Sequence, residues 1–402
     1  MRKLSISLSA ALMSLAISTV ALPASPSAAP SSSEVAIQQG LDFARKGESG
    51  KAIELWKPLA IGGNAAAQFD LAFMYAGGRG VAKDEAQAVV WYRKAAEQGY
   101  ADAQYNLGIM YRDGRGIAKD YSQAIVWFRK AAGQGFARAQ VSLGIMYRDG
   151  QGIAKDEAQA VVWFRKAAEQ GYAVAQFSLG VMYDTGRGIA KDEAQAVVWY
   201  RKAAEQGNDQ AQNNLGVMYD TGRGIAKDEA QAIVWFRKAA EQGIANAQYN
   251  LGVVYERGHG VPKDEPQAVV WYRKAADQGH AVAQFSLGVM YDTGRGIAKD
   301  QAQAVVWFRK AAEQGYAAAQ SNLGLMYAHG RGVAKDEAQA VVWIRKAAEQ
   351  GYAAAQYSLG VLYANGQGVA RDEAQAVVWY RKAADQGYPD AQHYLHILLN
   401  RQ

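Results

Sequence analysis

The sequence contains no cysteine in its 402 residues. Disulfide bridges, zinc–thiolate centres and lipid-modified cysteines are therefore excluded. Histidine is also scarce, with His259, His280, His329, His393 and His396 as the complete set. None of them lies in a recognisable catalytic motif, and the closely spaced pair near the C-terminus lacks carboxylate or thiol neighbours. We therefore expect no enzyme activity, no metal site and no cofactor.

A strong excess of charge of one sign is also missing. The chain has 44 basic and 38 acidic residues, a formal net charge of +6. The basic residues alternate with acidic ones in recurring R-K…E-Q and K-D patterns, so no helix face is uniformly basic, and we expect no nucleic-acid partner. Half of the residues are hydrophobic and a fifth are charged, which is typical of a folded chain.

Only one long hydrophobic run is present, and it lies at the N-terminus. Residues 4–22 are uncharged and largely apolar, follow two basic residues and precede small residues. This layout predicts a signal peptide over residues 1–29, with cleavage near Ala21, Ala24 or Ala28. An uncleaved membrane anchor fits less well, because serines interrupt the run and a proline ends it. We expect a periplasmic protein, or alternatively a secreted one, without a membrane span after cleavage.

The remaining sequence is an array of repeats with a period of 36 residues. Nine full units occupy residues 64–387. A polar linker is expected at 30–34, a divergent half-unit or cap at 35–63, where Trp56 lies one place beyond the period, and a capping helix at 388–402. The period is marked most clearly by tryptophan, at Trp91, Trp127, Trp163, Trp199, Trp235, Trp271, Trp307, Trp343 and Trp379.

Each unit is predicted to contain two helices. In YADAQYNLGIMY, which begins at Tyr100, apolar and small residues follow the i, i+3, i+7, i+8, i+11 spacing of one helix face. In KDEAQAVVWYRKAAEQG, which begins at Lys83, a second helical stripe contains the tryptophan. Asp84 is a suitable N-cap with Gln87 completing a capping box, and Gly99 is placed to end the helix in a left-handed conformation. No unit contains a strand-like segment, so the fold class is all-α.

The glycine pairs between the two helices raise the possibility of a phosphate-binding loop. They recur in every full unit, from Gly78 and Gly80 to Gly366 and Gly368. A nucleotide site would occur once or twice, after a strand and with a Gly-Lys-Ser/Thr motif, and neither feature is present. The pairs therefore predict a turn between antiparallel helices, in which glycine supplies the positive φ angles.

The periodic tryptophans have two interpretations. Burial of such a large side chain stabilises a fold by about 2–3 kcal/mol, which favours a place in the core between stacked repeats. The alternative is a row of rings on which a ligand stacks.

The run A-x-A-Q-x-x-L-G-x-x-Y-x-x-G-x-G-V/I-x-K-D-x-x-x-A-x-x-W-Y/F-R-K-A-A-E-Q-G closely resembles the Sel-one-like repeat (SLR) family, a relative of the tetratricopeptide repeat with a longer turn. The resemblance covers residues 38–392. It implies a right-handed superhelical α/α solenoid of about ten 36-residue helix-turn-helix repeats, built as a scaffold for protein–protein contacts. The first unit, FARKGESGKAIELWKPLA, has the shorter turn of a tetratricopeptide repeat. We expect a monomer.

The resemblance also implies where a partner would bind, since the first helix of each tetratricopeptide pair lines the concave face. Three positions of this helix are expected to face inward: the residue two places before Leu-Gly, the residue just after Leu-Gly, and the residue just after the tyrosine. Aromatic residues dominate the first position, and the third changes from basic to acidic, which favours an extended peptide or a partner's helix. The alternative is that the aromatics pack between repeats and the charges are ordinary surface. The candidate binding residues are Phe69, Tyr105, Arg112, Arg148, Phe177, Asp184, Asp220, Tyr249, Glu256, Phe285, Asp292 and Tyr357.

Exported members of the family that this sequence resembles are associated with envelope assembly, signalling or host interaction, so we expect an adaptor for a partner protein or peptide. Binding of cell-wall glycan or anionic polysaccharide is the alternative, because aromatic rings also suit sugars. A cysteine-rich subgroup is linked to β-lactam binding or hydrolysis. That activity is not carried over, because the cysteine pairs of its repeats are missing here.

Overall fold

The computed structural model describes residues 31–399, so the predicted signal peptide and the last three residues of the predicted capping helix lie outside the described residues. The described part forms 21 α-helices and no β-strand. It divides into two compact units, with the boundary between Trp199 and Tyr200. Unit 1 contains α1 (Ser32–Arg45), α2 (Ser49–Ile61), α3 (Ala65–Gly77), α4 (Glu85–Glu97), α5 (Ala101–Asp113), α6 (Tyr121–Gly133), α7 (Ala137–Asp149), α8 (Glu157–Glu169) and α9 (Ala173–Thr185).

The boundary between the units falls inside α10 (Glu193–Glu205). Unit 2 continues with α11 (Asp209–Thr221), α12 (Glu229–Glu241), α13 (Ala245–Arg257), α14 (Glu265–Asp277), α15 (Ala281–Thr293), α16 (Gln301–Glu313), α17 (Ala317–His329), α18 (Glu337–Glu349), α19 (Ala353–Asn365), α20 (Glu373–Ala384) and α21 (Pro389–Leu399). Within residues 31–399, no helix has both the length and the apolar character that a membrane span requires.

Within each unit, a helix packs mainly against the helix before it and the helix after it. We call the odd-numbered helices α3 to α19 the A helices and the even-numbered helices α4 to α20 the B helices. One A helix and the following B helix form each repeat. In the repeats from α5 onward that lie within one unit, the glycine of Leu-Gly lies against an aromatic or aliphatic side chain of the B helix, as Gly108 lies against Phe128. The predicted all-α fold of repeated helix pairs is confirmed.

The glycine pair ends the A helix and starts the turn, as predicted. Gly114 caps α5 at a φ of +72°, and Gly116 has a φ of +66°. A Cβ atom on Gly116 would lie 2.1 Å from the carbonyl oxygen of Glu85, the first residue of the preceding B helix. The second glycine is therefore required for close approach of two backbones as well as for its φ angle.

The predicted capping box at the start of the B helices forms only in part. The side chain of Asp84 accepts a hydrogen bond from the N–H of Gln87 at 2.9 Å, as expected for an N-cap. The N–H of Asp84, however, donates to the carbonyl of Tyr75 at 2.9 Å. The A helix thus satisfies the donor that the Gln87 side chain was expected to bind, and this bond closes the turn.

The Ala-Gln pair, which marks the period in the sequence, links three helices. Gln104 is buried, and its Nε2 donates to the carbonyl of Ala96 at 3.0 Å. Its Oε1 accepts a hydrogen bond from Nε2 of Gln134 at 2.8 Å. The same two bonds recur at Gln248. A buried amide with both ends paired fixes the register between consecutive repeats.

The expectations for the N-terminal segment need correction. The linker predicted for residues 30–34 is wrong beyond Ser31, because α1 begins at Ser32. Ser31 and Glu34 form a reciprocal capping box, with the Ser31 N–H donating to Glu34 at 2.8 Å, and these hydrogen bonds lower the pKa of Glu34. The segment predicted as a half-unit is a complete helix pair, in which Trp56 donates to the carbonyl of Ile37 at 3.3 Å.

Candidate binding surface

The first two aromatic residues predicted to meet a partner lie in the core. Phe69 and Tyr105 are only 1% and 6% exposed. The ring centroid of Tyr105 lies 5.7 Å from that of Phe128 on the next B helix and 5.3 Å from that of Phe136, which precedes the next A helix. Burial also raises the pKa of Tyr105. The prediction that these two rings are available to a partner is wrong, because a side chain of the B helix and the aromatic residue before the next A helix cover each of them.

The other four aromatics of this position, Phe177, Tyr249, Phe285 and Tyr357, are half-buried. In unit 2 the ring of Phe285 lies 5.3 Å from that of Tyr316. The ring of Tyr357 lies 5.2 Å from that of Tyr388, and burial raises the pKa of Tyr357 to about 12. These rings pack between consecutive repeats and present part of their surface to solvent.

The predicted basic residues are paired within the chain. Arg112 donates two hydrogen bonds to its neighbour Asp113, at 2.7 and 2.9 Å. Arg148 binds Asp149 with the same geometry. All four side chains are between 24% and 35% exposed. Each arginine is thus largely neutralised by its neighbour, and the basic character that the sequence indicated for this row is weaker in the structure.

Two of the predicted acidic residues are also engaged. Glu256 accepts a hydrogen bond from the hydroxyl of Tyr272 at 2.5 Å and forms an ion pair with Arg295 at 3.0 Å. Asp292 accepts from Gln301 at 3.2 Å and lies 3.7 Å from Arg331. Each arginine belongs to the glycine loop of the next repeat. The remaining predicted acids, Asp184 and Asp220, occupy the same position on α9 and α11 and are half-buried.

The position just after Leu-Gly carries an aliphatic side chain on each A helix from α5 to α19. Every one of these side chains is partly exposed and lies one helical turn before the charged position. We call this set the A-helix surface. Its residues are Ile109, Ile145 and Val181 in unit 1, and Val217, Val253, Val289, Leu325 and Val361 in unit 2.

The B helices carry a second apolar row that sequence reasoning missed. In the motif A-V-V-W the first aliphatic residue is buried, as Val89 is, whereas the second is exposed. The sequence did contain a signal for this row. Each of these valines directly precedes a periodic tryptophan, and the valine lies on the opposite side of the helix from the alanines. We call these residues the valine row; each is 40–45% exposed, and they are Val90, Val126, Val162, Val198, Val234, Val270, Val306, Val342 and Val378.

The periodic tryptophans do not offer free ring faces for stacking. Trp127, Trp235 and Trp307 are 6–8% exposed. Where a ring contact is described, the lysine three residues later covers the ring, with Nζ 4.0 to 4.6 Å from the centroid in repeats of both units. In these eight repeats the tryptophan is buried or half-buried, and a cation–π contact covers one face of its ring.

Among residues 31–399, no group of three or more histidine, cysteine, aspartate or glutamate side chains is arranged to hold a metal ion. His280 has a structural role instead. It is the N-cap of α15, and its Nδ1 accepts from the N–H of Ala283 at 3.1 Å. The proton is therefore on Nε2, which donates to Asn246 at 3.1 Å. The ring stacks on Tyr249, with centroids 5.1 Å apart.

The His280 cap makes stability sensitive to pH. Burial lowers the pKa of His280, so its stabilising effect is complete above the ordinary pKa of 6.5 and is lost as the pH falls below that value. Asn208 provides the same cap for α11 without titrating. We expect wild type to lose about 0.5 kcal/mol more stability than His280→Asn between pH 7.5 and 5.5. Urea unfolding at both pH values measures this, and equal pH dependence would rule the cap out as its source.

Comparison with known proteins adds to this geometry. The Sel1 repeat model matches nine consecutive segments of the chain, at residues 65–100, 101–136, 137–172, 173–208, 209–244, 245–280, 281–316, 317–352 and 353–388. A protective antigen present in uropathogenic Escherichia coli strains, which displays an SLR fold, is 37% identical, with a TM-score of 0.63 over 92% of this chain and 88% of that chain. A Sel1 repeat protein from Oxalobacter formigenes is 34% identical, with a TM-score of 0.60 over 81% and 93%. No curated protein sequence matches significantly.

Proposed function

The chain belongs to the Sel1 repeat family, and from this premise we propose that it is an exported adaptor that binds a partner protein or peptide along its A helices. A scaffold of repeated helix pairs fits a protein-interaction role. The proposal goes further in naming the surface, the kind of partner and the location, which is the periplasm or, alternatively, the outside of the cell. Its biological context would be envelope assembly, signalling or host interaction.

The observation that carries the proposal is the A-helix surface. It places one partly exposed aliphatic side chain at the same position of successive A helices, next to half-buried aromatics such as Phe285. A row of small apolar sites at regular spacing suits an extended peptide or a helix with regularly spaced apolar anchors. The neighbouring pairs, such as Glu256 with Arg295, offer charged groups that orient the partner without a strong net charge.

A matched pair of variants tests the surface. Val253→Glu with Val289→Glu places two charges on the A-helix surface of adjacent repeats. Val270→Glu with Val306→Glu makes the same change in the valine row, where the side chains are 45% and 43% exposed. We expect the first pair to weaken partner binding at least tenfold, since a buried unpaired carboxylate costs several kcal/mol, and the second pair to leave it unchanged.

The measurement is a crosslinking pull-down from the envelope and periplasmic fractions of the native host, analysed by mass spectrometry. Circular dichroism and urea unfolding confirm that both variants are folded. Loss of one defined protein with the first pair only supports the proposal. Retention of that protein by both variants would contradict it. Capture of cell-wall or polysaccharide fragments instead, with binding that weakens steeply in added salt, would favour the glycan alternative.

A further inference from the structure

Helix α3 departs from the other A helices at three positions at once. Asp70 occupies a position that holds asparagine or serine in all later repeats. Phe73 is aromatic where the later repeats have an aliphatic residue, and Gly77 is a glycine where they have none. The three positions lie three or four residues apart, so they follow one face of the helix. This combination points to a local function that the other repeats do not share.

Asp70 is buried without a partner for its charge. The residue is 5% exposed, and its Oδ2 has no hydrogen-bond partner among the described residues. Burial raises the pKa of Asp70 to about 7, and the negative charge of Asp102 on α5 adds to this shift. An unpaired carboxylate in such a place is costly, and a bound cation would offset that cost.

The carboxyl group lines a small pocket between α1, α2 and α3. The walls near it are apolar and include Leu41, Trp56, Phe73 and Met74. The lining contributed by α1 and α2 is uncharged. Arg79, which follows α3, is the other charged side chain in the lining, and Asp102 is the charge that acts on Asp70 from α5.

Arg79 does not neutralise Asp70 in this structure. Its guanidinium lies over the ring of Phe73, 5.1 Å from the centroid. Its side chain runs past Gly77, where a Cβ atom would lie 3.5 Å from the Arg79 Cγ. In two later repeats the equivalent arginines, Arg115 and Arg187, pair with the first residue of the preceding B helix, whereas the equivalent residue here is Ser49. Arg79 thus occupies a different position from its counterparts, and Asp70 still lacks a cation.

We propose that this pocket is a binding site for an alkylammonium or alkylguanidinium group, with Asp70 as the carboxylate that receives the cation. The pocket has a volume of about 30 Å³, which leaves room for the cationic head group, and its apolar walls, including Trp56 and Phe73, suit the methylene groups next to that head group. A lysine or arginine side chain of a partner protein and a free aliphatic amine share this chemistry. The site lies on α3, before the first residue of the A-helix surface, and its test is independent of the partner proposed above.

The test follows the indole N–H resonance of Trp56 by NMR in the purified protein. The probes are n-butylammonium and a capped lysine tripeptide, with 1-pentanol and the corresponding norleucine tripeptide as uncharged controls. We expect saturable shifts with a cationic probe at pH 8.5 and binding weaker by on the order of tenfold or more at pH 5.5, where Asp70 is protonated. The uncharged controls give no saturable shift.

Three variants assign the effect to Asp70. Asp70→Asn abolishes binding and keeps the fold, because Asn106 occupies the same position in the next repeat. Asp102→Asn retains binding, since its carboxyl acts on Asp70 only from α5. Arg79→Gln tightens binding by several-fold, because it removes a like charge from the pocket.

Binding of the peptide alone assigns the site to a partner's side chain, and binding of the amine alone assigns it to a small molecule; both outcomes support the proposal.

Several results would overturn it. One is the absence of a saturable shift with either cationic probe in both the wild type and Arg79→Gln. An unchanged affinity in Asp70→Asn would also overturn it, as would binding of the norleucine peptide with the same affinity as the lysine peptide. Circular dichroism of the three variants shows that any loss of binding occurs in folded protein.

Discussion

Replacing Gly188 by alanine is expected to lower the free energy of unfolding by about 2–5 kcal/mol. The residue has a φ of +68°, where a side chain costs about 1–2 kcal/mol. A Cβ atom would also lie 2.1 Å from the carbonyl oxygen of Glu157, at the start of α8. Because that neighbour is backbone, the loop after α9 must move away from the preceding repeat.

The displaced loop also carries an ion pair. Arg187, between the two glycines, binds the carboxylate of Glu157 at 2.6 Å and lowers its pKa. The backbone of Gly188 and the side chain of Arg187 thus hold the same residue of the preceding repeat, and the substitution weakens both contacts.

Gly171→Ala is the matched control. Gly171 has a φ of +85°, and nothing lies within 4 Å of its Cβ position. It should cost only the strain of about 1–2 kcal/mol. Urea unfolding compares the two variants, and hydrogen exchange of α8 and α9 locates the loss, since repeat proteins open locally. Equal destabilisation by the two substitutions would show that the contact with Glu157 contributes nothing.

Replacing Phe164 by alanine is expected to cost about 3–5 kcal/mol, the usual loss for a large side chain removed from a core. Phe164 is fully buried on α8. Its ring lies against Gly144 on the preceding A helix, where a Cβ atom would lie 2.5 Å from the ring. No neighbouring side chain is placed between the ring and the α7 backbone, so the deletion leaves a cavity between two helices.

The same position of a later repeat supplies the control. Ile344 is equally buried there against Gly324, so Phe164→Ile should cost less than about 1.5 kcal/mol. Val162→Ala, at a side chain that is 43% exposed on the same helix, should change stability by less than about 0.5 kcal/mol. Urea unfolding of the three variants measures this order. A loss below about 1 kcal/mol for Phe164→Ala would contradict the proposed packing of the repeat.

The helices and turns of this fold could be predicted from the sequence because their signals are local. The 36-residue period, the Asp84 cap and the glycine pairs each determine the conformation of a few adjacent residues. Even so, the partner of the Asp84 N–H was mispredicted, because it is a carbonyl on the other side of the turn. Gly188 must also be glycine because it contacts the preceding repeat, and the neighbouring residues in the sequence do not reveal that contact.

The binding surface was harder to predict because exposure depends on neighbouring repeats. Tyr105 and Tyr249 occupy the same position in the motif, yet the first is buried and the second is half-exposed. Similarly, nothing in the spacing alone shows that Arg112 is paired with Asp113. The unusual features of Asp70 could have been found by comparing each repeat with the others, although its burial and its pocket required the structure.

The most direct test of the proposed adaptor function is site-specific photo-crosslinking in the native host. The photoreactive residue p-benzoylphenylalanine replaces Val253, on the A-helix surface, in one strain and Val270, in the valine row of the same repeat, in another. We expect Val253 to crosslink one defined protein, identified by mass spectrometry, and Val270 to give no such product. Crosslinking of a defined protein from Val270 but not from Val253 would contradict binding along the A helices.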